Sequence, residues 1–171
     1  SQMVEIQTII LYCSLFISLF FEVFLLITYL EVRSQIKFED ERFLRGVFNF
    51  PTVTVIVPVL NEAKTLLATA ESLLNLDYPK DKLSFILVDD GSTDNTWEVI
   101  SKFKDHPQFR IYKKENGGKH TAVNLALEKV SSDLVGCLDA DSFVTPEALK
   151  KIVPYFEDRT IMAVTPSIKV H

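Results

Sequence analysis

The chain has 171 residues, a formal net charge of −5 and 47% hydrophobic residues, with a mean hydropathy of +0.17. That length supports one domain or a little more. The acidic balance argues against a nucleic-acid partner, and the positive hydropathy directs attention to a membrane segment.

Residues 4–30 supply that segment. Only Glu5 and Glu22 are charged within it, and about 20 apolar residues cross a bilayer as a helix. The run exceeds that length, so it is expected to span with some tilt. A cleaved signal peptide fits poorly: no basic region leads, the apolar core is too long and no small-residue cleavage site follows. No basic residue precedes the run, whereas Arg33, Lys37, Arg42 and Arg45 follow it. The positive-inside rule therefore predicts a cytoplasmic C-terminal side. Glu22 is costly in lipid and is expected to pair with protein or to protonate. Cys13 and Cys137 are read as small buried hydrophobes, not as a disulfide.

Three regions are expected: a transmembrane helix at 1–32, a connector at 33–50 and a soluble domain at 51–171. In the connector Ile36, Phe43, Leu44 and Val47 share one helical face, as in a short helix lying on a membrane surface. After Pro51 the pattern alternates. Strands are predicted at 52–60, 83–88, 109–112 and 134–138, and a further one begins at 161–164. Helices are predicted at 63–74, from the caps at 92–94 through 103, and at 119–130. A last helix is expected to start at a Thr145 cap, with Pro146 in its first position and Glu147 just inside. Alternating strands and helices imply βαβ units, a mainly parallel sheet and an α/β fold with helices on both faces.

Carboxylates stand at two strand ends. In Asp89-Asp90-Gly91-Ser92-Thr93-Asp94 the glycine permits a tight turn and the next residues can cap a helix, but neither role explains two consecutive acids. An EF-hand needs Gly and Glu where Asp94 and Ile100 stand. In Asp139-Ala140-Asp141, strand alternation puts both acids on one side. Two like charges so close repel unless a cation offsets them, and oxygen ligands suit Mg²⁺ or Mn²⁺. That cation in turn suits a diphosphate. Asn116-Gly117-Gly118-Lys119 before a helix offers backbone N–H groups and an ammonium to an anion. Position 113 is Lys, so this is not a Walker A loop. No G-x-G-x-x-G occurs, and no His or Cys pattern favours zinc.

Four motifs in order, Val57-Pro58-Val59-Leu60-Asn61-Glu62, Val88-Asp89-Asp90-Gly91-Ser92-Thr93-Asp94, Asn116-Gly117-Gly118-Lys119-His120-Thr121-Ala122-Val123-Asn124 and Asp139-Ala140-Asp141, resemble family 2 glycosyltransferases. The resemblance covers roughly residues 51–171. It implies a GT-A (Rossmann-like) fold and an inverting, metal-assisted transfer from a UDP-sugar donor to a polysaccharide or lipid acceptor. With the preceding membrane helix it is similar to the branch that makes cellulose, chitin, hyaluronan or poly-N-acetylglucosamine. It also implies roles: Pro58, Asn61 and Glu62 beside the nucleotide; Asp89 on the uracil with Asp90 supporting it; Lys119 near the base or diphosphate. Asp139 would face the ribose and diphosphate and share the metal with Asp141. The family's acceptor half, with its Thr-Glu-Asp base motif and Gln-x-x-Arg-Trp, is expected beyond His171, so the chain reads as incomplete at its C-terminus and its catalytic base as lying downstream. Ser1 as first residue agrees with a fragment. Trp97 is read as a core residue. Two other readings compete: a polyprenol-phosphate sugar transferase and a non-catalytic, membrane-tethered nucleotide-binding module.

Overall fold

The computed structural model describes the backbone of residues 2–44, 50–158 and 160–165, and the side chains of 5–31, 50–158 and 160–165. The chain divides into two compact units, 1–48 and 49–171.

The first unit is one helix, α1, Gln2–Leu44. Its segment Glu5–Glu31 is long and apolar enough to cross a membrane. At 1.5 Å per residue it measures about 40 Å against a hydrocarbon core of about 30 Å. The large apolar side chains along it, from Ile6 to Leu30, are all exposed, so the helix is hydrophobic all round with no protein covering it among the described residues. Two hydroxyls turn back onto the helix itself, Ser14 to the Leu11 carbonyl and Thr28 to the Phe24 carbonyl. Ser18 donates to Glu22 at 3.5 Å. The helix continues without a break to Leu44, into the stretch expected to form a separate surface helix. Ile36, Phe43, Leu44 and Val47, which define its expected apolar face, lie outside the described side chains.

The second unit is a four-stranded parallel sheet of order β3-β2-β1-β4. The strands are β1 (Val53–Val59), β2 (Leu83–Asp89), β3 (Phe109–Lys113) and β4 (Leu134–Cys137). The helices are α2 (Leu66–Leu74), α3 (Thr96–Ser101), α4 (Lys119–Leu127) and α5 (Ala148–Ile152). β1 and β2 are buried along nearly their whole length, as strands covered on both faces must be, and their near-continuous Val, Ile and Leu content follows. On one face Ile56, Ile86 and Val88 pack against Ala122 and Ala126 of α4. On the other, Phe85 stacks on Phe109, which meets Phe103 just after α3.

Local chemistry moved several expected boundaries. α2 begins at Leu66 rather than 63, because the Glu62 carbonyl takes the Thr65 and Leu66 N–H groups in a turn first. α3 begins at Thr96 rather than 92–94, because Asp94 accepts the Thr96 N–H at 3.0 Å and closes a local turn. α4 ends at Leu127, three residues early. Thr145 does not cap α5. The Pro146 carbonyl instead accepts the Asp77 N–H at 2.8 Å, and Glu147 is the N-cap. Residues 161–165 form no strand, since an extended apolar run needs a partner to become a ladder. β4 pairs with β1 alone among the described residues, and an edge position leaves Cys137 exposed rather than buried. Trp97 is half-buried, with the Lys113 ammonium 5.1 Å from its ring centroid.

Candidate functional site

The strand order reverses at β1: successive strands run outward through β2 and β3, then β4 pairs with β1's other side. Open α/β sheets bind ligands at such a switch point, beyond the strands' C-terminal ends. A cleft of about 270 Å³ lies there, and its lining includes Pro58, Glu62, Asp90, Lys119, Asp139 and Asp141. Of the residues expected at the site from sequence, only Asn61 and Asp89 do not line it.

Pro58 explains how a central strand opens into a cleft. Ile56 gives its carbonyl to Leu138 on the β4 side, while Val59 gives its carbonyl to Asp90 on the β2 side. Pro58 shares the parity of Ile56, so its backbone nitrogen faces β4 just beyond the last β1–β4 pair, Ile56↔Cys137. A residue with no N–H leaves no orphaned donor where the two strands part.

Asn61 ties the loop after β1 to the loop after β2. It holds a left-handed backbone, φ 56°, which asparagine tolerates better than most residues. Its N–H donates to Ser92 Oγ and its Oδ1 accepts the Thr93 N–H, each at 2.9 Å. The Glu62 N–H donates to Thr96 Oγ1 at 2.9 Å. The β1 and β2 loops are thus stitched together by residues of two different motifs. Glu62 is in turn steadied by the Thr65 hydroxyl at 2.6 Å.

The two acids after β2 have different surroundings. Asp89 is completely buried; its Oδ1 accepts the Ser92 N–H at 2.9 Å, and its Oδ2 lies 3.9 Å from the Lys113 ammonium. Asp90, 2% exposed, lines the cleft. Lys114 Nζ and the Gly117 N–H donate to its Oδ1 at 2.6 and 3.0 Å. Burial acts to raise the Asp90 pKa, but the Lys114 and Gly117 hydrogen bonds outweigh it and hold the carboxyl below the ordinary range. Gly91 makes this packing possible. At φ 77° it sits so close to the next loop that a Cβ would lie 2.6 Å from the Asn116 backbone nitrogen.

The Asp139-Ala140-Asp141 segment lies past the end of β4, in a turn closed by the Ser142 N–H on the Asp139 carbonyl at 3.0 Å. The pair therefore does not arise from strand alternation, as the sequence pattern suggested. What anchors it is Ala140, buried, whose carbonyl accepts the Thr69 hydroxyl of α2 at 2.8 Å. Both flanking carboxylates are exposed and line the cleft. Lys119, the first residue of α4, forms an ion pair with Asp139 Oδ1. That hydrogen bond holds the Lys119 pKa above the ordinary lysine range against the opposing effect of burial, and Asp141 adds to it. Both partners are more than half exposed, so the pair contributes little to stability.

Two carboxylates at an open cleft fit Mg²⁺ or Mn²⁺. Such ions take one or two protein carboxylates and complete their shell with water and phosphate oxygens. No cluster of three or more acidic, His or Cys ligands occurs among the described residues. Sequence reasoning missed Lys114, Ser92 and Thr96. The signal for the first was present: Asp89↔Lys113 is the last β2–β3 pair, so Asp90 and Lys114, one residue further on, leave the two strands side by side.

Residues 54–171 match the family described as Glycosyl transferase family 2. The chain belongs to this family. Over 118 residues it is 34% identical to a beta-monoglucosyldiacylglycerol synthase of Synechocystis, covering 67% of this chain and 25% of that protein. Over 120 residues it is 35% identical to a poly-beta-1,6-N-acetyl-D-glucosamine synthase of Staphylococcus aureus, covering 69% and 29%. The chain thus spans a quarter to three tenths of these family 2 relatives. A mannosyltransferase from Pyrobaculum calidifontis, solved with GDP-Man and Mn²⁺, superposes with a TM-score of 0.62 at 31% identity, over 71% of this chain and 39% of that one. S. aureus TarS 1–349, solved with UDP-GlcNAc, gives 0.58 at 28% identity, over 64% and 32%. The parallel sheet of this family 2 chain is therefore of the GT-A type.

Proposed function

We propose that this chain is the donor-binding part of a membrane-anchored, inverting glycosyltransferase that moves a sugar from a UDP-sugar to a polysaccharide or lipid acceptor. The observation that carries the reading is the cleft at the switch point, where Asp90 from the end of β2, Asp139 and Asp141 from beyond β4, and Lys119 from the start of α4 converge. Its size, its ammonium and its paired acids suit a nucleoside diphosphate with a cation. The TarS complex with UDP-GlcNAc and the mannosyltransferase complex with GDP-Man and Mn²⁺ support the same chemistry.

In this reading the base contact expected of Asp89 falls to Asp90, which accepts a hydrogen bond from the nucleobase while Asp89 buttresses the turn behind it. Lys119 leaves Asp139 to meet the diphosphate, and the start of α4 adds backbone N–H groups. Asp141, with Asp139, would hold Mg²⁺ or Mn²⁺, which would offset charge on the departing diphosphate. Inversion also needs a base at the acceptor hydroxyl. Every cleft carboxylate but Glu62 is committed to donor or metal, and Glu62 is tied to Thr65, so we place the base in the part of the relatives that this chain does not span.

Calorimetry with UDP and GDP, each with Mn²⁺ and with EDTA, tests the proposal. UDP binding that weakens by about tenfold or more in EDTA is expected, and Asp141→Asn should bring the metal-containing affinity down to the EDTA value. Equal affinity with and without metal would remove Asp139 and Asp141 from the cation role, and no nucleotide binding at all would overturn the reading.

A further inference from the structure

We propose that Lys114 is a positioning residue for donor recognition, fixing Asp90 so that the cleft discriminates between nucleobases by their ring N–H. The inference rests on the donor-binding reading above and goes beyond it by naming what sets the base contact.

The geometry is asymmetric. The Lys114 ammonium at 2.6 Å and the Gly117 N–H at 3.0 Å both converge on Asp90 Oδ1. Oδ2 is buried and, like Asp89 Oδ2, has no hydrogen-bond partner among the described residues; of the two acids only Asp90 lines the cleft. A buried carboxylate oxygen left unpaired is costly and asks for a partner from outside the chain. Lys114 is itself fixed, since its ammonium also donates to the Glu115 carbonyl and its side chain is only 21% exposed. Gly117 leaves the room for it: a Cβ there would stand 3.0 Å from Lys114 Nζ and 2.8 Å from Thr121 Oγ1. Asp90 is therefore held at one oxygen before any ligand arrives, which lowers the cost of binding to the other.

An ionised carboxylate only accepts hydrogen bonds. A base that presents a ring N–H, as uracil and guanine do, satisfies it. A base that presents a ring lone pair at that place, as cytosine does, repels it. Sites built around such a bond reject the mismatched analogue strongly.

UDP and CDP share ribose and diphosphate and differ at this edge, so their affinity ratio for the full chain with Mn²⁺ reads the proposal. The wild type should favour UDP by about tenfold or more. Lys114→Met, checked for an unchanged circular dichroism spectrum, should lose about tenfold in UDP affinity while CDP changes little, bringing the ratio toward one. Lys114→Arg, which restores a cation and donor, should recover most of the ratio. Equal loss for both nucleotides would show a merely structural role and overturn the proposal, as would an unchanged ratio in Lys114→Met. A wild type that binds both equally would overturn it while leaving the donor-site reading standing. A wild type that binds neither would overturn that reading too.

Discussion

At the scale of single residues, the site is built on charges held in place by neighbours from other motifs. Asp90 is the clearest case, and its depressed pKa has a stability consequence. A carboxyl whose folded pKa lies below its unfolded value of about 3.9 stabilises the fold above that value. The contribution is lost as pH falls through the folded pKa, because the unfolded chain binds the proton first. Asp94 and Asp133, held down by hydrogen bonds from Thr96 and Thr52, act in the same direction. The melting temperature should therefore fall as pH drops from about 5 to about 2, and Asp90→Asn should flatten that slope without abolishing it. A scan of melting temperature against pH for the two proteins checks this; parallel curves would show that Asp90 does not titrate with folding. The acids were legible in the sequence and their partners were not. Asp89 and Asp90 stand out because two charges end an apolar run, but nothing local says which one lines the cleft. Lys114 decides that from 24 residues away, through a contact set by strand register.

Among elements, β1 and β4 behave oppositely. β1 is buried along its whole length and β4 alternates between partly buried and exposed positions. Ile56 of β1 is fully buried in the cluster beneath α4, and Ile56→Ala should cost about 2–5 kcal/mol. Val135 of β4 is 45% exposed, and its truncation to Ala should cost less than about 1 kcal/mol. Chemical denaturation of both variants tests the ranking, and a similar loss for the two would mean that β4 is covered in solution. Four strands were readable because Val, Ile and Leu runs have few other uses at that length, but the run expected at 161–164 forms no strand. Helix starts were not, since Asp94 and Pro146 look like the openings of helices in sequence but spend their groups on a local turn and on Asp77. The acidic pair after β4 is set by its turn and by the buried Ala140, not by strand alternation.

For the whole molecule, an apolar helix is joined to a unit that we read as nucleotide-binding. The segment Glu5–Glu31 has no covering protein among the described residues, and all nearby basic residues follow it. We therefore expect the N-terminus outside and residues 49–171 in the cytoplasm, on the side where a nucleotide-sugar donor would be met. Protease treatment of sealed vesicles of known orientation should digest the 49–171 unit only from its cytoplasmic face; digestion from the opposite face would sink the topology and the access to donor with it. The arrangement of the sheet also dictates the order of assembly. β1 leaves the ribosome first, yet its β4 neighbour lies 81 residues later, the separation of Thr52 from Asp133. At about 5–20 residues per second that is roughly 4–16 s of translation. Throughout this interval the strand that carries Pro58 has one flank bare, and the two walls of the future cleft exist at different times. Newly made chains are then most vulnerable to mispairing before β4 emerges, so slowing translation after β3 should lower the yield of folded protein more than an equal delay after α5.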